Sequence, residues 1–111
     1  MKYKTPKIVT LSGSMKFWDE FLKAGAMLSD KGYIVLMPFN ETLSPSFNGE
    51  ISKEEALVLL NLHKRRIDMS DELFVINKDG YIGDSTRKEI EYAKHLAGIK
   101  INYLEPIERE N

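Results

Sequence analysis

Apolar positions follow two alternating rhythms along this chain. Ile8-Val-Thr-Leu11, Tyr33-Ile-Val-Leu-Met37, Leu73-Phe-Val-Ile76 and Ile99-Lys-Ile-Asn-Tyr-Leu104 are short runs rich in β-branched and aromatic residues, and they predict four strands. Between them the spacing changes to three and four. Phe17, Phe21, Ala24 and Leu28 form one stripe, predicting a helix from a Ser14 cap to about Lys31, with Gly32 as its left-handed stop. Ser52-Lys-Glu-Glu55 has the form of a capping box and opens a second helix to about Met69, striped by Ala56, Leu60, His63 and Ile67. A third helix is predicted from Ser85 or Thr86 to Ala97, stopped by Gly98. Residues 39–51, rich in Asn, Ser, Pro and Gly, read as a long loop, and Glu105 to Asn111 as a charged tail.

Strands that alternate with crossover helices give an α/β fold, because parallel neighbours need a long right-handed connection. The expectation is a single domain, 1–111: a three-layer sandwich with a four-stranded parallel sheet in the order 2-1-3-4, flavodoxin- or Rossmann-like. The order reverses between strands 1 and 3, and ligands of such sheets bind beyond the carboxyl ends of the strands at that point. Ser12-Gly13-Ser14 and the segment Gly80 to Glu89 are therefore expected to meet.

Charge and composition narrow the function. Lys and Arg total 16 against 17 Asp and Glu, so no overall field favours nucleic acid or an anionic membrane. His63-Lys-Arg-Arg66 is the one basic concentration. Without cysteine there are no disulfides or thiolate metal sites. Two histidines lack ligand spacing, so neither metal nor cofactor is implied. No apolar run nears the ~20 residues of a membrane span, and Met1 to Lys7 lacks the apolar core of a signal peptide. A cytoplasmic protein is the expectation.

The candidate chemistry lies at the two junctions. Ser12-Gly-Ser-Met-Lys16 offers backbone approach, hydroxyls and a helix N-terminus to an anion, although it lacks the P-loop and dinucleotide-binding spacings. Asn77-Lys-Asp-Gly-Tyr-Ile-Gly-Asp-Ser-Thr-Arg-Lys-Glu89 adds Ser85 and Thr86 at a second helix start. Glu89 is in register with Tyr92, Ala93 and Leu96, which turns a carboxylate inward. Two readings stay open: Thr86-x-x-Glu89 is a plain capping box, or Glu89 serves a pocket as a nucleophile toward an anomeric carbon. His63 likewise is either a satisfied core residue or a group that protonates a departing base. Asp79, Asp84, Gly80 and Gly83 suit turns, with Asp84 also placed for a sugar hydroxyl. Phe39 and Tyr81 are the candidates for stacking on a base.

Three stretches, Ser12-Gly-Ser14, Ser70-Asp-Glu-Leu-Phe-Val75 and Gly83-Asp-Ser-Thr-Arg-Lys-Glu-Ile-Glu-Tyr-Ala93, give the chain its resemblance to a known family. From Ile8 to about Leu104 it resembles the nucleoside 2-deoxyribosyltransferase-like superfamily, which includes 2′-deoxynucleoside 5′-phosphate N-hydrolases. The resemblance implies cleavage or transfer at the N-glycosidic bond of a (deoxy)nucleoside or its 5′-monophosphate. Glu89 matches the family nucleophile, and His63 or Asp84 is expected to assist departure of the base. The expected substrate-binding residues are Ser12, Gly13, Ser14, Lys16, Phe39, Asn77, Tyr81, Gly83, Ser85 and Thr86. It also implies a homodimer or higher homo-oligomer with sites completed across subunits. Thr10 stands where members carry a strand-1 tyrosine, His63 where they carry a helix-2 aspartate, and Gly83 where they carry a base-side aspartate. These exchanges leave a second class open: a non-catalytic nucleotide-binding or sensing module of the same fold.

Overall fold

Why β1 (Ile8–Gly13) forms the centre of the molecule follows from its alternation. Val9 and Leu11 point to one face and are buried with Phe21, Ala24 and Leu28 of α1 (Trp18–Asp30) and with Ile76. Thr10 and Ser12 point to the opposite face and are equally buried. In a computed structural model describing residues 5–107, β2 (Ile34–Leu36), α2 (Lys53–Asp68), β3 (Glu72–Ile76), α3 (Asp84–Lys94) and β4 (Lys100–Tyr103) complete the order along the chain. Residues 1–4 and 108–111, which hold most of the N-terminal segment and the end of the charged tail, lie outside the described residues.

All pairings are parallel, and the sheet order is β2-β1-β3-β4, as the alternation of elements predicts. The register pairs Ile8 with Ile34 across β1 and β2, Gly13 with Ile76 across β1 and β3, and Val75 with Tyr103 across β3 and β4. α1 covers one face. α2 and α3 cover the other, where Ile67, Leu73, Val75, Ile90 and Ala93 form a second core. Each fully buried side chain of the size of Phe21 or Ile67 contributes roughly 1.5–3 kcal/mol by leaving water. Among the described residues, no helix is long and apolar enough to cross a membrane.

Several local expectations are corrected. Ser12 and Gly13 continue β1 rather than turning after it, and a 3₁₀ turn, Met15–Phe17, precedes α1. Ser14 does cap that turn, accepting from the Lys16 N–H at 3.3 Å. α2 opens on the expected reciprocal box, with the Glu55 N–H donating to Ser52 Oγ at 3.1 Å and the Ser52 N–H donating to Glu55 Oε1 at 3.4 Å. Within the 39–51 loop, Asn40 caps a further 3₁₀ turn, Glu41–Leu43. α3 starts at Asp84, behind Gly83, and ends at Lys94 rather than Ala97.

The amino ends of the strands are closed by polar contacts far from the switch point. Asp71 Oδ2 accepts from the Ile8 N–H at 2.8 Å. Buried Glu72 accepts from Tyr33 Oη at 3.0 Å and Asn102 Nδ2 at 2.9 Å.

Candidate active site

At the carboxyl ends of β1 and β3, where the strand order reverses, lies a cavity of about 510 Å³. Gly13, Ser14, Lys16, Phe39, His63, Tyr81, Gly83, Asp84, Ser85, Thr86 and Glu89 line it, so most of the residues singled out by sequence converge there. α2 forms one wall of the cavity. Its last turns bury His63 and Ile67, whereas Ala56, Leu59 and Leu60 of its earlier turns overhang the opening. A second hollow of about 560 Å³ adjoins it under the 39–51 loop, sharing Phe39, Glu41, Ile51 and Leu59.

Glu89 does not cap its helix. The N-cap of α3 is Gly83, no side chain closes that terminus, and Thr86 is buried. The capping-box reading of Thr86-x-x-Glu89 therefore fails, because the helix begins too early for Thr86 to stand at its cap. The Glu89 side chain, 12% exposed, turns instead toward His63, whose Nε2 lies 3.7 Å from its Oε1. Burial pushes the Glu89 carboxyl up to about 7, against the Ser12 hydroxyl and the Arg66 guanidinium, which favour the ionised form.

His63 is held at both ring nitrogens. Its Nε2 is 2.9 Å from Ser12 Oγ, and Arg66 Nη1 is 3.4 Å from its Nδ1. Burial, and then the Arg66 charge, push the imidazole down to about 4, while the Leu11 carbonyl acts in the opposite sense. At neutral pH this ring is uncharged, which removes the imidazolium that the expected proton donor requires.

The anion-friendly features are also present. With no side chain at its cap, α3 presents N–H groups of its first turn near Ser85 and Thr86, and its first backbone bond runs from the Arg87 N–H to the Gly83 carbonyl at 2.9 Å. Lys16 Nζ sits 3.5 Å from the centre of the Tyr81 ring, which in turn packs edge-on against Phe17. Gly83 leaves room for that tyrosine, since a Cβ there would lie 3.2 Å from Tyr81 Oη. Phe39 is 46% exposed at the rim.

Two expected residues stand elsewhere. Asn77 is absent from the cavity wall; its Nδ2 donates to the Glu105 carbonyl at 3.0 Å and its Oδ1 accepts from the Glu105 N–H at 2.8 Å. It fastens the end of β4 to the end of β3. Ser12 lies behind the wall and reaches the site through His63. Gly13 has a second duty besides lining the cavity, because a Cβ there would meet the Ile76 carbonyl oxygen at 2.8 Å. Arg66 is the residue the sequence reading underrated. Its signal was its place three residues after His63, one helical turn along the same side.

Taken together, the site pairs a carboxyl group that ionises near neutral pH with hydroxyls, a lysine and helix N–H groups suited to an anion. Among the described residues, no group of three or more His, Asp or Glu side chains is arranged to hold a metal ion. No protein-family model and no curated protein matches the chain. Among solved structures it is similar to 2-desoxiribosyltransferase from Leishmania mexicana, with a TM-score of 0.61 and 16% identity, over 90% of this chain and 66% of that one. The chain thus shares the fold of a 2-desoxiribosyltransferase while spanning just under two thirds of its length.

Proposed function

We propose that this protein cleaves or transfers at the N-glycosidic bond of a (deoxy)nucleoside or its 5′-monophosphate, with Glu89 as the nucleophile. The observation that carries this reading is the Glu89 carboxyl, freed from helix capping and turned to the cavity at the switch point. The shared fold with a 2-desoxiribosyltransferase supports it. In the first step the ionised carboxylate attacks C1′, and the C1′–N bond breaks with its electron pair passing to the base. In the second step water, or a second base, attacks C1′ and releases Glu89. Ser14, Lys16, Ser85 and the first turn of α3 receive the 5′-phosphate or hydroxyl. Phe39 and Tyr81 flank the base. Asp84, at the cavity wall, assists departure of the base, and His63 contributes as a neutral hydrogen-bonding group.

Leu57, Val58 and Leu62 leave an apolar strip on α2, each at least half exposed, which supports a homo-oligomer whose neighbour closes the open side of the cavity. The deciding experiment is incubation with a panel of deoxynucleosides and their monophosphates, chromatographed for free base. Base release that falls on the order of a thousandfold in Glu89→Gln supports the enzyme. Nucleotide binding without release, retained in Glu89→Gln, would make the chain a sensor of the same fold.

A further inference from the structure

We infer that Arg66 sets the direction of a hydrogen-bond chain running through His63 and Ser12 to Glu89, and that these three are positioning residues for that carboxylate. The argument begins with donor chemistry. A guanidinium donates and never accepts, so the ring nitrogen it approaches must be the bare one. Arg66 Nη1 lies 3.4 Å from His63 Nδ1, which leaves the single proton of the neutral ring on Nε2. The other tautomer would aim an N–H at a guanidinium, two donors with no acceptor between them.

Polarity then passes outward. His63 Nε2 is 2.9 Å from Ser12 Oγ, so the ring donates and the hydroxyl accepts. That leaves the Ser12 hydrogen free for the Glu89 carboxylate, whose Oε1 lies 3.7 Å from the same His63 Nε2. No charged side chain of β1 enters this cluster: the charged groups around the ring are Arg66 on its own helix and Glu89 from α3, with Asp84 and Lys16 elsewhere on the cavity wall.

The geometry of the donor is itself fixed. The Arg66 carbonyl accepts from Thr10 Oγ1 at 3.2 Å and from Ser70 Oγ at 2.8 Å, and Thr10 Oγ1 and Ser70 Oγ are 2.6 Å apart. The buried Thr10 hydroxyl of β1 and the Ser70 hydroxyl after α2 thus lock the last turn of α2 and, through it, the Arg66 end of the hydrogen-bond relay. The consequence for catalysis rests on the N-glycosidic reading above; the hydrogen-bond polarity does not.

The test is the tautomer, read from the full chain labelled with ¹⁵N-histidine in a long-range proton–nitrogen spectrum at pH 7, with His95→Gln supplying the assignment. The expected result is His63 protonated at Nε2 in the wild type and in Arg66→Lys, with Nδ1–H appearing in Arg66→Met. Protonation at Nδ1 in the wild type overturns the inference, and so does an unchanged tautomer in folded Arg66→Met. The wild-type spectrum needs no variant to fold. In the kinetic arm, Ser12→Ala and Arg66→Met lower kcat of base release about five- to tenfold with KM little changed, the size of one lost hydrogen bond. A KM rise confined to phosphorylated substrates would make Arg66 a phosphate ligand and overturn its positioning role. If no substrate releases base, the proposed function fails while the tautomer result still decides the chain.

Discussion

His63 Nε2 lies 3.7 Å from Glu89 Oε1, yet the two are not an ion pair. Burial drives both toward their neutral forms, the imidazole down to about 4 and the carboxyl up to about 7. Proximity alone would suggest a salt bridge. Desolvation disfavours the charged form of each group, and the Arg66 guanidinium adds to that effect at the imidazole. The pair is therefore a neutral contact that gains a negative charge as the pH passes 7.

The first prediction concerns rate. With a deoxynucleoside lacking phosphate, kcat/KM for base release rises with pH through about 7, as Glu89 becomes ionised. No fall near the usual histidine value follows, because His63 has already lost its proton. A bell-shaped profile descending above pH 6.5 would mean that an imidazolium donates the proton and that the neutral ring is wrong.

Stability gives the second prediction. The folded carboxyl of Glu89 binds its proton more tightly than the usual 4.5, so its cost is absent at low pH and grows as pH rises through about 7. The full cost is on the order of 3 kcal/mol, and Glu89→Gln removes it. His63 has the opposite sign: its folded pKa is depressed from 6.5, so stability is lost as pH falls toward about 4. The two slopes offset one another between roughly pH 4.5 and 6.5. Urea unfolding should show Glu89→Gln more stable than wild type at pH 8 and little changed at pH 4.5. Equal gains at both values would indicate an ordinary, unshifted carboxyl.

Gly13→Ala is expected to destabilise the fold by about 1–3 kcal/mol, the range for forcing a methyl into a packed core. The added Cβ would meet Ile76 O at 2.8 Å, Ile76 Cβ at 2.9 Å and Phe21 Cζ at 3.2 Å. Thermal unfolding measures it. A melting temperature equal to wild type would show that β1 and β3 can separate at this point without cost.

Asn77→Ala should cost about 1–3 kcal/mol by orphaning two backbone groups of Glu105, and leave nucleotide affinity unaltered. Calorimetry on the folded variant separates the two effects. A weakened affinity at unchanged stability would return Asn77 to the ligand site.

Strand and helix order was legible because it rests on periodicity, which is local. Val9, Leu11, Phe21, Ala24 and Leu28 read as core, and they are core. Gly32 reads as a left-handed helix stop and directly follows the Lys31 cap of α1 with φ of +95°, whereas Gly98, also left-handed at +80°, lies beyond the end of α3 at Lys94 and does not stop it. The start of α3 was missed because Ser85 and Thr86 are good caps by composition, while the capping position fell to Gly83, which has no side chain. Asn77 was misplaced for a related reason: a polar residue just after a strand looks the same from sequence whether it meets a ligand or a neighbouring backbone. Arg66 was hidden inside a basic run whose members fan around a helix. Only the three-dimensional arrangement separates the one beside His63 from its solvated neighbours.

The alternation of β1 constrains more than its burial. Its odd positions, Val9 and Leu11, contact α1, and its even positions, Thr10 and Ser12, contact α2. A slip of the strand by a single residue would press Leu11 against a histidine ring and bring a hydroxyl into the aliphatic layer around Phe21. Two unlike surfaces therefore proofread the same register, and a misaligned chain would lose its hydrophobic packing and its polar wiring at once. Parity along this one strand also divides what a mutation disturbs: changes at Val9 and Leu11 loosen the aliphatic layer against α1, and changes at Thr10 and Ser12 break hydroxyl contacts to α2.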